Sequence, residues 1–217
     1  MLTINSISFS FGKKPIFQEL NLEFQKGKTY GVVGANGVGK TTFFRSLAGI
    51  YTLKSGQIKL DDIPSHSSKV SFLPTSPYFY PHMKGIEYYK ITQQDETKIQ
   101  RCIHMANQLN IPLDHLVETY STGMQKKLAF ISQYVKDRPI SIYDEPFNGV
   151  DLESNEILQQ LLLKDKEGRI TLVSSHILSM LFEFCDEIIH IEKGFKTTVF
   201  NPSEFSTLKK KIRANLQ

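Results

Sequence analysis

The chain has 217 residues, of which 40% are hydrophobic and 22% are charged, and its formal net charge is +4. This length suits one large domain that buries its own apolar core. The Lys and Arg residues are scattered rather than clustered, which argues against a nucleic-acid partner. No apolar run approaches the ~20 residues that a membrane-spanning helix needs. Two cysteines, Cys102 and Cys185, lie in apolar stretches without metal-ligand spacing and are expected to be buried thiols.

The first third of the chain carries strand patterns with one helix between them. Alternating or β-branched apolar residues predict strands at residues 2–9, 20–24, 28–33, 56–62 and 69–73. Residues 40–48 instead have helical spacing and stop at Gly49, a common residue at a helix C-terminus. The strand at 28–33 therefore leads through a glycine-containing loop directly into this helix.

Residues 74–120 differ in composition from the rest of the chain. Strand patterns are missing there, aromatic residues cluster at 78–80 and 88–89, and residues 95–109 have a helical pattern. We interpret this segment as a helical insertion within a single domain that spans 1–217. A short motif at residues 120–124 stands at the end of the insertion. Residues 1–73 and 121–217 would then form the α/β core.

The core patterns resume after this segment. Helices are predicted at 121–135, at 151–163 and from 177, strands at 140–143 and 169–174, and a hairpin at 187–191 and 196–200 before a short terminal helix. Strands that alternate with helices imply a mainly parallel sheet with right-handed crossovers. The antiparallel patterns near the N-terminus add a smaller layer, so we expect an α/β fold with a mixed sheet.

Residues 34–41 match the phosphate-binding pattern G-x-x-x-x-G-K-[ST] between a predicted strand and a predicted helix. Glycines permit backbone conformations in which successive amides point at an anion, and the helix N-terminus adds a positive dipole. Lys40 should reach the outer phosphates, Thr41 should ligate Mg²⁺, and Thr42 should assist at the inner phosphates. The residues expected to bind nucleotide here are Gly34, Asn36, Gly37, Gly39, Lys40, Thr41 and Thr42.

Two carboxylates, Asp144 and Glu145, end the apolar strand at 140–143 and precede a proline. Ligand sites of parallel sheets lie at the C-terminal ends of strands, so this pair should face the same crevice as the phosphate loop. Asp144 is the candidate for holding Mg²⁺, mainly through water. Glu145 is the candidate base that receives the proton of an attacking water. The sequence thus indicates a hydrolase that acts on a nucleotide phosphate.

The stretch before that strand, residues 120–128, has two interpretations. Thr122 and Gln125 have the spacing of a capping box, which by itself explains a helix start. A helix N-terminus here also makes a second anion site. The phosphate loop and this helix start would both bind the outer phosphate of a nucleotide. One chain needs both sites only if two copies of it face each other.

Together these motifs resemble the nucleotide-binding subunit of ATP-binding cassette (ABC) transporters over essentially the whole chain. Phe11 occupies the position of the family's adenine-stacking aromatic, residues 120–124 that of its signature, and residues 148–151 that of its D-loop. Ser175 and His176 resemble its switch region. The resemblance implies a P-loop NTPase cassette of the ABC type, which binds ATP with Mg²⁺ and hydrolyses it to power transport.

The resemblance also implies roles for individual residues. Two cassettes of the family close head to tail, so Ser121 and Gly123 would contact the γ-phosphate held by the other copy. Asp151 would support that copy's site, although it is also a plausible helix N-cap. His176 would hydrogen-bond the γ-phosphate and the attacking water. The implied partners are a second copy or a related cassette and membrane-spanning permease subunits, which would place the chain in the cytoplasm at the inner face of the membrane.

Three features depart from the family's pattern. Thr75 stands where the family has a Gln that contacts metal and water, and its hydroxyl has a shorter reach, so its contact with the metal and its coupling to the membrane partner are open. Thr122 and Met124 replace a Gly and a Gln of the signature, which is similar to signatures of the drug-export and bacteriocin-immunity branch. Phe11 can stack but carries no hydroxyl.

Two other functions compete with transport. A soluble ABC-type ATPase of translation or DNA repair usually carries two cassettes or a coiled-coil insertion, whereas this chain has one cassette and no heptad run. A regulator that binds nucleotide without hydrolysis would not need Lys40, Asp144, Glu145 and His176 together. Transport is the preferred interpretation, while the cargo, its direction and the choice between a homodimer and a heterodimer stay open.

Overall fold

The computed structural model describes residues 1–64, 67–164 and 166–214 of the chain. Its strands are, in chain order, β1 Leu2–Phe11, β2 Lys14–Phe24, β3 Thr29–Gly34, β4 Ser55–Leu60, β5 Ile63–Pro64, β6 Val70–Leu73, β7 Ile140–Asp144, β8 Ile170–Ser174, β9 Glu187–Glu192 and β10 Lys196–Phe200. Its helices are α1 Lys40–Leu47, α2 Gly85–Thr92, α3 Glu96–Gln108, α4 Thr122–Val135, α5 Leu152–Lys164, α6 Leu178–Phe184 and α7 Phe205–Ala214.

Within the described residues the strands form two sheets. The smaller sheet is antiparallel, has the order β2-β1-β4-β5, and places Leu2 opposite Phe24. The larger sheet has the order β10-β9-β3-β8-β7-β6, and its neighbours run parallel except in the β9–β10 hairpin. The predicted mixed α/β architecture with an antiparallel layer is confirmed.

Two apolar clusters cover the two faces of the larger sheet. On β7, Ile142 belongs to the cluster that includes α1, whereas the next residue, Tyr143, belongs to the cluster that includes α4. All residues of β7 and of its neighbour β8 are buried. A parallel strand that is buried on both faces presents ligand-binding groups at its C-terminal end. β7 therefore delivers Asp144 and Glu145 to that edge of the sheet.

Helices α2 and α3 lie in the segment at residues 74–120. α3 buries one side, formed by Ile99, Cys102, Met105 and Ala106, and Asp95 caps it by accepting the Thr97 N–H at 2.8 Å. The sequence patterns did not predict α2, because its buried face consists of Gly85, Tyr88 and Tyr89 and the glycine adds no apolar side chain to that helical spacing. The division of the chain into a core and an insertion at these boundaries stays a prediction.

The predicted capping box of Thr122 and Gln125 is wrong. Ser121 is the N-cap of α4, and its Oγ accepts a hydrogen bond from the Met124 N–H at 3.2 Å. Ser121 has the extended backbone that a cap requires, with φ −62° and ψ 159°, whereas Thr122 is already the first helical residue. The side-chain amide of Gln125 instead donates from Nε2 to the Val117 carbonyl oxygen at 3.1 Å.

Both cysteines are buried free thiols, as predicted. Burial raises the pKa of the Cys102 thiol to about 12 and raises the pKa of Cys185 as well. No helix among the described residues is both long enough and apolar enough to cross a bilayer.

Candidate active site

The loop between β3 and α1 has the backbone geometry of an anion cradle. Gly37 and Gly39 have φ values of 75° and 113°, which L-residues with a side chain rarely adopt. A Cβ atom at Gly39 would lie 2.7 Å from Ile16 Cγ2 of β2 and 3.1 Å from the Phe195 ring of the β9–β10 turn. The loop is therefore held at the junction of the two sheets, directly before the N-terminus of α1, where free N–H groups are available to phosphate.

Lys40 lies over this loop. Its Nζ donates hydrogen bonds to the carbonyl oxygens of Gly34 at 2.7 Å and of Ala35 at 3.3 Å, and only 8% of the residue is exposed. Burial lowers the pKa of the ammonium, while the carboxylates of Glu145 and Asp144 act in the opposite direction. The ammonium is therefore already at the phosphate loop, held by weak neutral acceptors that a phosphate oxygen can replace.

Three hydroxyl groups converge on Asp144 at the end of β7. Thr41 of α1 donates to Oδ2 at 2.6 Å, Thr75 donates to the same oxygen at 2.8 Å, and Ser174 at the end of β8 donates to Oδ1 at 2.7 Å. The Asp144 residue is 1% exposed. One carboxylate surrounded by hydroxyl oxygens, beside a phosphate loop, is a donor set that fits Mg²⁺, which prefers one or two carboxylates and completes its shell with water and phosphate oxygens.

Glu145 follows in an uncommon backbone conformation. Its φ is 54°, in the left-handed region, and the residue is 7% exposed. The Glu145 N–H donates to Ser174 Oγ at 2.9 Å, and its carboxylate Oε2 accepts the His176 N–H at 3.3 Å. The His176 Nε2 atom lies 3.1 Å from Oε1. Burial raises the pKa of the Glu145 carboxyl, and the His176 imidazole lowers it.

Sequence patterns missed Ser174, which contacts both acidic residues. A signal was present, because Ser174 ends the strand that precedes His176, and polar residues at the C-terminal ends of adjacent parallel strands share one edge. The register of the sheet makes the contact: Asp144 pairs with Ser174 across β7 and β8. The predicted residues Thr41, Thr75, Asp144, Glu145 and His176 are thus brought together, with Ser174 between them.

The signature position at the start of α4 faces the loop that follows Glu145. A Cβ atom at Gly123 would lie 2.4 Å from the Gly149 carbonyl oxygen, so only glycine fits there without a shift. Ser121 is exposed at the N-terminus of the helix. Asp151 caps α5 by accepting the Ser154 N–H at 2.9 Å and also forms an ion pair with Lys127 at 3.2 Å. The capping role of Asp151 is therefore present in the structure, and its role toward a second copy stays a prediction.

Phe11 lies at the end of β1, outside the acidic cluster. Half of the residue is exposed, and its ring makes edge-to-face contacts with Phe9 at 5.0 Å and Tyr51 at 5.6 Å between centroids. An exposed aromatic face is what stacking on a purine ring requires. Its assignment to adenine stays a prediction.

Comparisons with known proteins agree on one family. A family model described as ABC transporter matches residues 17–148. The uncharacterized ABC transporter ATP-binding protein YhaQ of Bacillus subtilis (strain 168) is 30% identical over 210 residues, which cover 89% of this chain and 69% of that protein. The lantibiotic transport ATP-binding protein SrtF of Streptococcus pyogenes is 28% identical, with coverage of 89% and 88%.

Solved structures share the fold. An ATP-binding subunit of an ABC transporter superposes with a TM-score of 0.85 at 19% identity, over 93% of this chain and 90% of that one. The cassette MJ0796, solved as a dimer in a post-hydrolysis state with ADP and Pi, superposes with a TM-score of 0.81 at 18% identity, over 93% and 99%. The phosphate loop, the acidic strand end and these matches lead to one conclusion: the chain belongs to the ABC transporter family, as one of its ATP-binding, ATP-hydrolysing subunits.

Proposed function

We propose that ATP is bound at the phosphate loop of residues 34–42 and is hydrolysed with Glu145 as general base. The observation that carries this proposal is the convergence of Thr41, Thr75 and Ser174 on Asp144, with Glu145 and His176 immediately beside it. This arrangement brings a candidate metal ligand, a candidate base and a histidine to the ends of two adjacent buried strands, β7 and β8, next to the phosphate loop.

In the proposed reaction, Glu145 accepts the proton of a water molecule that attacks the γ-phosphorus of ATP. The raised pKa of its carboxyl group makes it a stronger base than an exposed glutamate, and the nearby His176 imidazole favours the ionised form. His176 also orients the carboxylate through its backbone N–H. Both contacts fix the direction from which the proton is taken.

The other residues hold the nucleotide. Lys40 exchanges the carbonyl oxygens of Gly34 and Ala35 for phosphate oxygens, a change from neutral to charged acceptors. Thr41 and Asp144 would hold Mg²⁺, and Thr75 would contact it or its water shell. When bound, Mg²⁺ neutralises the charge that develops on the β- and γ-phosphates. Phe11 would stack on the adenine ring.

We propose further that the working unit contains two cassettes. Ser121 and Gly123 lie at the N-terminus of α4, and a helix N-terminus can bind an anion. The γ-phosphate of a second copy, or of a related cassette, would complete that site, and Asp151 would support the facing phosphate loop. The dimeric MJ0796 cassette has the same fold and is a precedent for this assembly.

A membrane-spanning permease is the proposed second partner, and it would place the chain at the inner face of the cell membrane. Tyr78 and Tyr80 are 72% and 61% exposed and pack edge to face at 5.5 Å, directly after Thr75. Exposed aromatic residues are frequent anchors of protein interfaces. The pair is therefore the proposed contact with the permease, and its position next to Thr75 would connect docking to the metal site.

The cargo class can be proposed from two relatives. SrtF is named as a lantibiotic transport protein, and SkfE of Bacillus subtilis (strain 168), which is 26% identical, as a SkfA peptide export protein. The signature of this chain is similar to signatures of the same branch. We propose that the assembled transporter moves an amphipathic peptide or drug-like compound, and that such a compound stimulates the ATPase activity of the complex.

The experiment that tests the proposed chemistry uses Glu145→Gln, with Glu153→Gln on the exposed start of α5 as the matched control. Glu145→Gln should keep ATP binding and lose turnover, and the ATP-loaded protein should elute as a dimer in size-exclusion chromatography. Glu153→Gln should hydrolyse ATP at the wild-type rate. Normal turnover by Glu145→Gln would show that Glu145 is not the base.

The same measurement, made with and without a co-purified permease, separates the three candidate functions. A transport ATPase should be stimulated by the membrane protein. A soluble ABC-type ATPase should show full activity alone, and a regulator should bind ATP without hydrolysis under both conditions.

A further inference from the structure

One face of α4 contacts the loop of residues 145–151, which follows β7, at three positions. Gly123 packs on Gly149, Lys126 Nζ donates to the Glu145 carbonyl oxygen at 2.7 Å, and Lys127 Nζ lies 3.2 Å from Asp151 Oδ2. Positions 123, 126 and 127 are spaced i, i+3 and i+4, so they share one side of the helix. The loop is therefore held at its beginning, its middle and its end by a single helix.

Lys126 is almost completely buried. It is 3% exposed, and burial lowers the pKa of its ammonium, while the Glu145 and Asp144 carboxylates raise it. Placing a charged group in the interior is costly, and an apolar side chain of similar volume often stabilises a protein as well or better. Fold stability therefore gives no reason for a lysine at this position, whereas the hydrogen bond to Glu145 does.

The group that Lys126 contacts is the backbone of the proposed base. Glu145 has a left-handed φ of 54°, which is unfavourable for a residue with a side chain. Both of its peptide groups are hydrogen-bonded: the N–H donates to Ser174 Oγ at 2.9 Å, and the C=O accepts from Lys126 Nζ at 2.7 Å and from the Asn148 N–H at 3.4 Å. The direction of the Glu145 side chain depends on this backbone conformation, and hence on these contacts.

We infer that Lys126 is a positioning residue for Glu145: its buried ammonium fixes the backbone of the base and connects it to α4, the helix that Ser121 caps. This inference rests on the proposed role of Glu145. Lys126 touches neither ATP nor the reacting water, and it acts through the Glu145 carbonyl. Binding of a ligand at the first turn of α4 could then shift Lys126, little more than one helical turn away, and through it the backbone of Glu145 in the same chain.

The test compares the steady-state ATPase of Lys126→Met with that of the wild type. Methionine keeps the length and the apolar stem but removes the donor. We expect kcat to fall about tenfold or more, as for a misplaced catalytic group, with KM for ATP changed less than about twofold. The melting temperature should stay the same or rise. Lys126→Arg, which restores a charged donor, should recover most of kcat.

Two further variants serve as controls. Lys127→Met removes another buried ammonium from the same helical turn. This ammonium contacts Asp151, Ser154 and the Leu109 carbonyl instead of Glu145, so kcat of this variant should fall less. Lys90→Met changes an exposed lysine of α2 and should leave kcat unchanged.

Each outcome decides the inference. Wild-type kcat in Lys126→Met, measured beside an inactive Glu145→Gln, would overturn the role of Lys126 and leave the role of Glu145 intact. A loss of kcat, ATP affinity and melting temperature together would also overturn it, because it would show a general structural role. Full activity of Glu145→Gln would remove the base assignment itself, and the inference with it.

Discussion

The Thr75 hydroxyl donates a 2.8 Å hydrogen bond to Asp144 Oδ2, the same oxygen that accepts the Thr41 hydroxyl at 2.6 Å. The short Thr75 side chain, whose contact with the metal was left open by the sequence, thus contacts the Asp144 carboxylate directly. β6 and β7 pair in parallel with Leu73 beside Tyr143, which brings the residues that follow these two strands within reach of each other. Thr75 is thus hydrogen-bonded to Asp144, the residue that is the candidate metal ligand.

Exchange of Thr75 should change the basal ATPase activity. A Gln at this position can extend beyond Asp144 toward the metal and the attacking water, so Thr75→Gln should raise the basal rate and reduce stimulation by the membrane partner. Thr75→Val, which keeps the shape and removes the hydroxyl, is the control and should not raise the rate. A change below about threefold corresponds to less than ~0.7 kcal/mol and would mean that the side chain at 75 does not control coupling.

Removal of the Lys40 ammonium should reduce binding and chemistry together. Its contacts with phosphate would exist in both the ground state and the transition state, so Lys40→Ala should weaken ATP binding and lower kcat/KM by about 10²-fold or more. ATP affinity is measured with a fluorescent analogue and turnover by phosphate release. Lys90→Ala on the surface of α2 should match the wild type. Unchanged turnover in Lys40→Ala would contradict the phosphate-loop assignment.

The aromatic group at 78–80 divides into an outer pair and an inner residue. Tyr78 and Tyr80 are exposed, whereas Phe79 packs on Tyr88 of α2 with 4.9 Å between centroids. The combined change Tyr78→Ser and Tyr80→Ser should weaken association with the permease and spare basal ATPase, with the melting temperature within about 2 °C of the wild type. Phe79→Ser should lower the melting temperature instead. A large drop in the double variant would show that the pair packs the segment onto the core.

The cap of α5 should give a measurable acid dependence of stability. Hydrogen bonds from the Ser154 N–H, the Ser154 hydroxyl and Lys127 lower the pKa of the Asp151 carboxyl from 3.8 to about 2. A group whose pKa is lower in the folded state stabilises the fold above its ordinary pKa, and this stability is lost as the pH falls from about 4 toward 2. Asp151→Asn should therefore unfold at a lower urea concentration than the wild type at pH 6, and the difference should shrink near pH 2. A constant difference over this range would exclude the ionised cap.

Motifs confined to one strand end could be predicted, and contacts that cross the fold could not. The phosphate loop and the Asp144–Glu145 pair were recognisable because each follows a strongly apolar strand. Ser174 and Lys126 reach the acidic pair from elements about 30 and 19 residues away. Only the sheet register and the packing of α4 place them there.

Helix starts show the same limit on a smaller scale. The residues at 121 and 122 are both good N-caps, and the choice between them depends on which one keeps an extended backbone after packing. α2 was missed because one of the three residues on its buried face is Gly85, which has no apolar side chain, so Tyr88 and Tyr89 alone do not define a helix period. Tertiary burial of Tyr89 stabilises a helix there that its local pattern does not specify.

Burial of the two thiols has a practical consequence for following the cassette in solution. Only a thiolate reacts with maleimides, and the raised pKa values of Cys102 and Cys185 suppress that form at neutral pH. The sequence contains no other cysteine. A single cysteine introduced at Leu152, which is 76% exposed beside Asp151, would accept a fluorophore or spin label in an otherwise unaltered chain, and the distance between two such labels would report how far two cassettes approach when ATP is added.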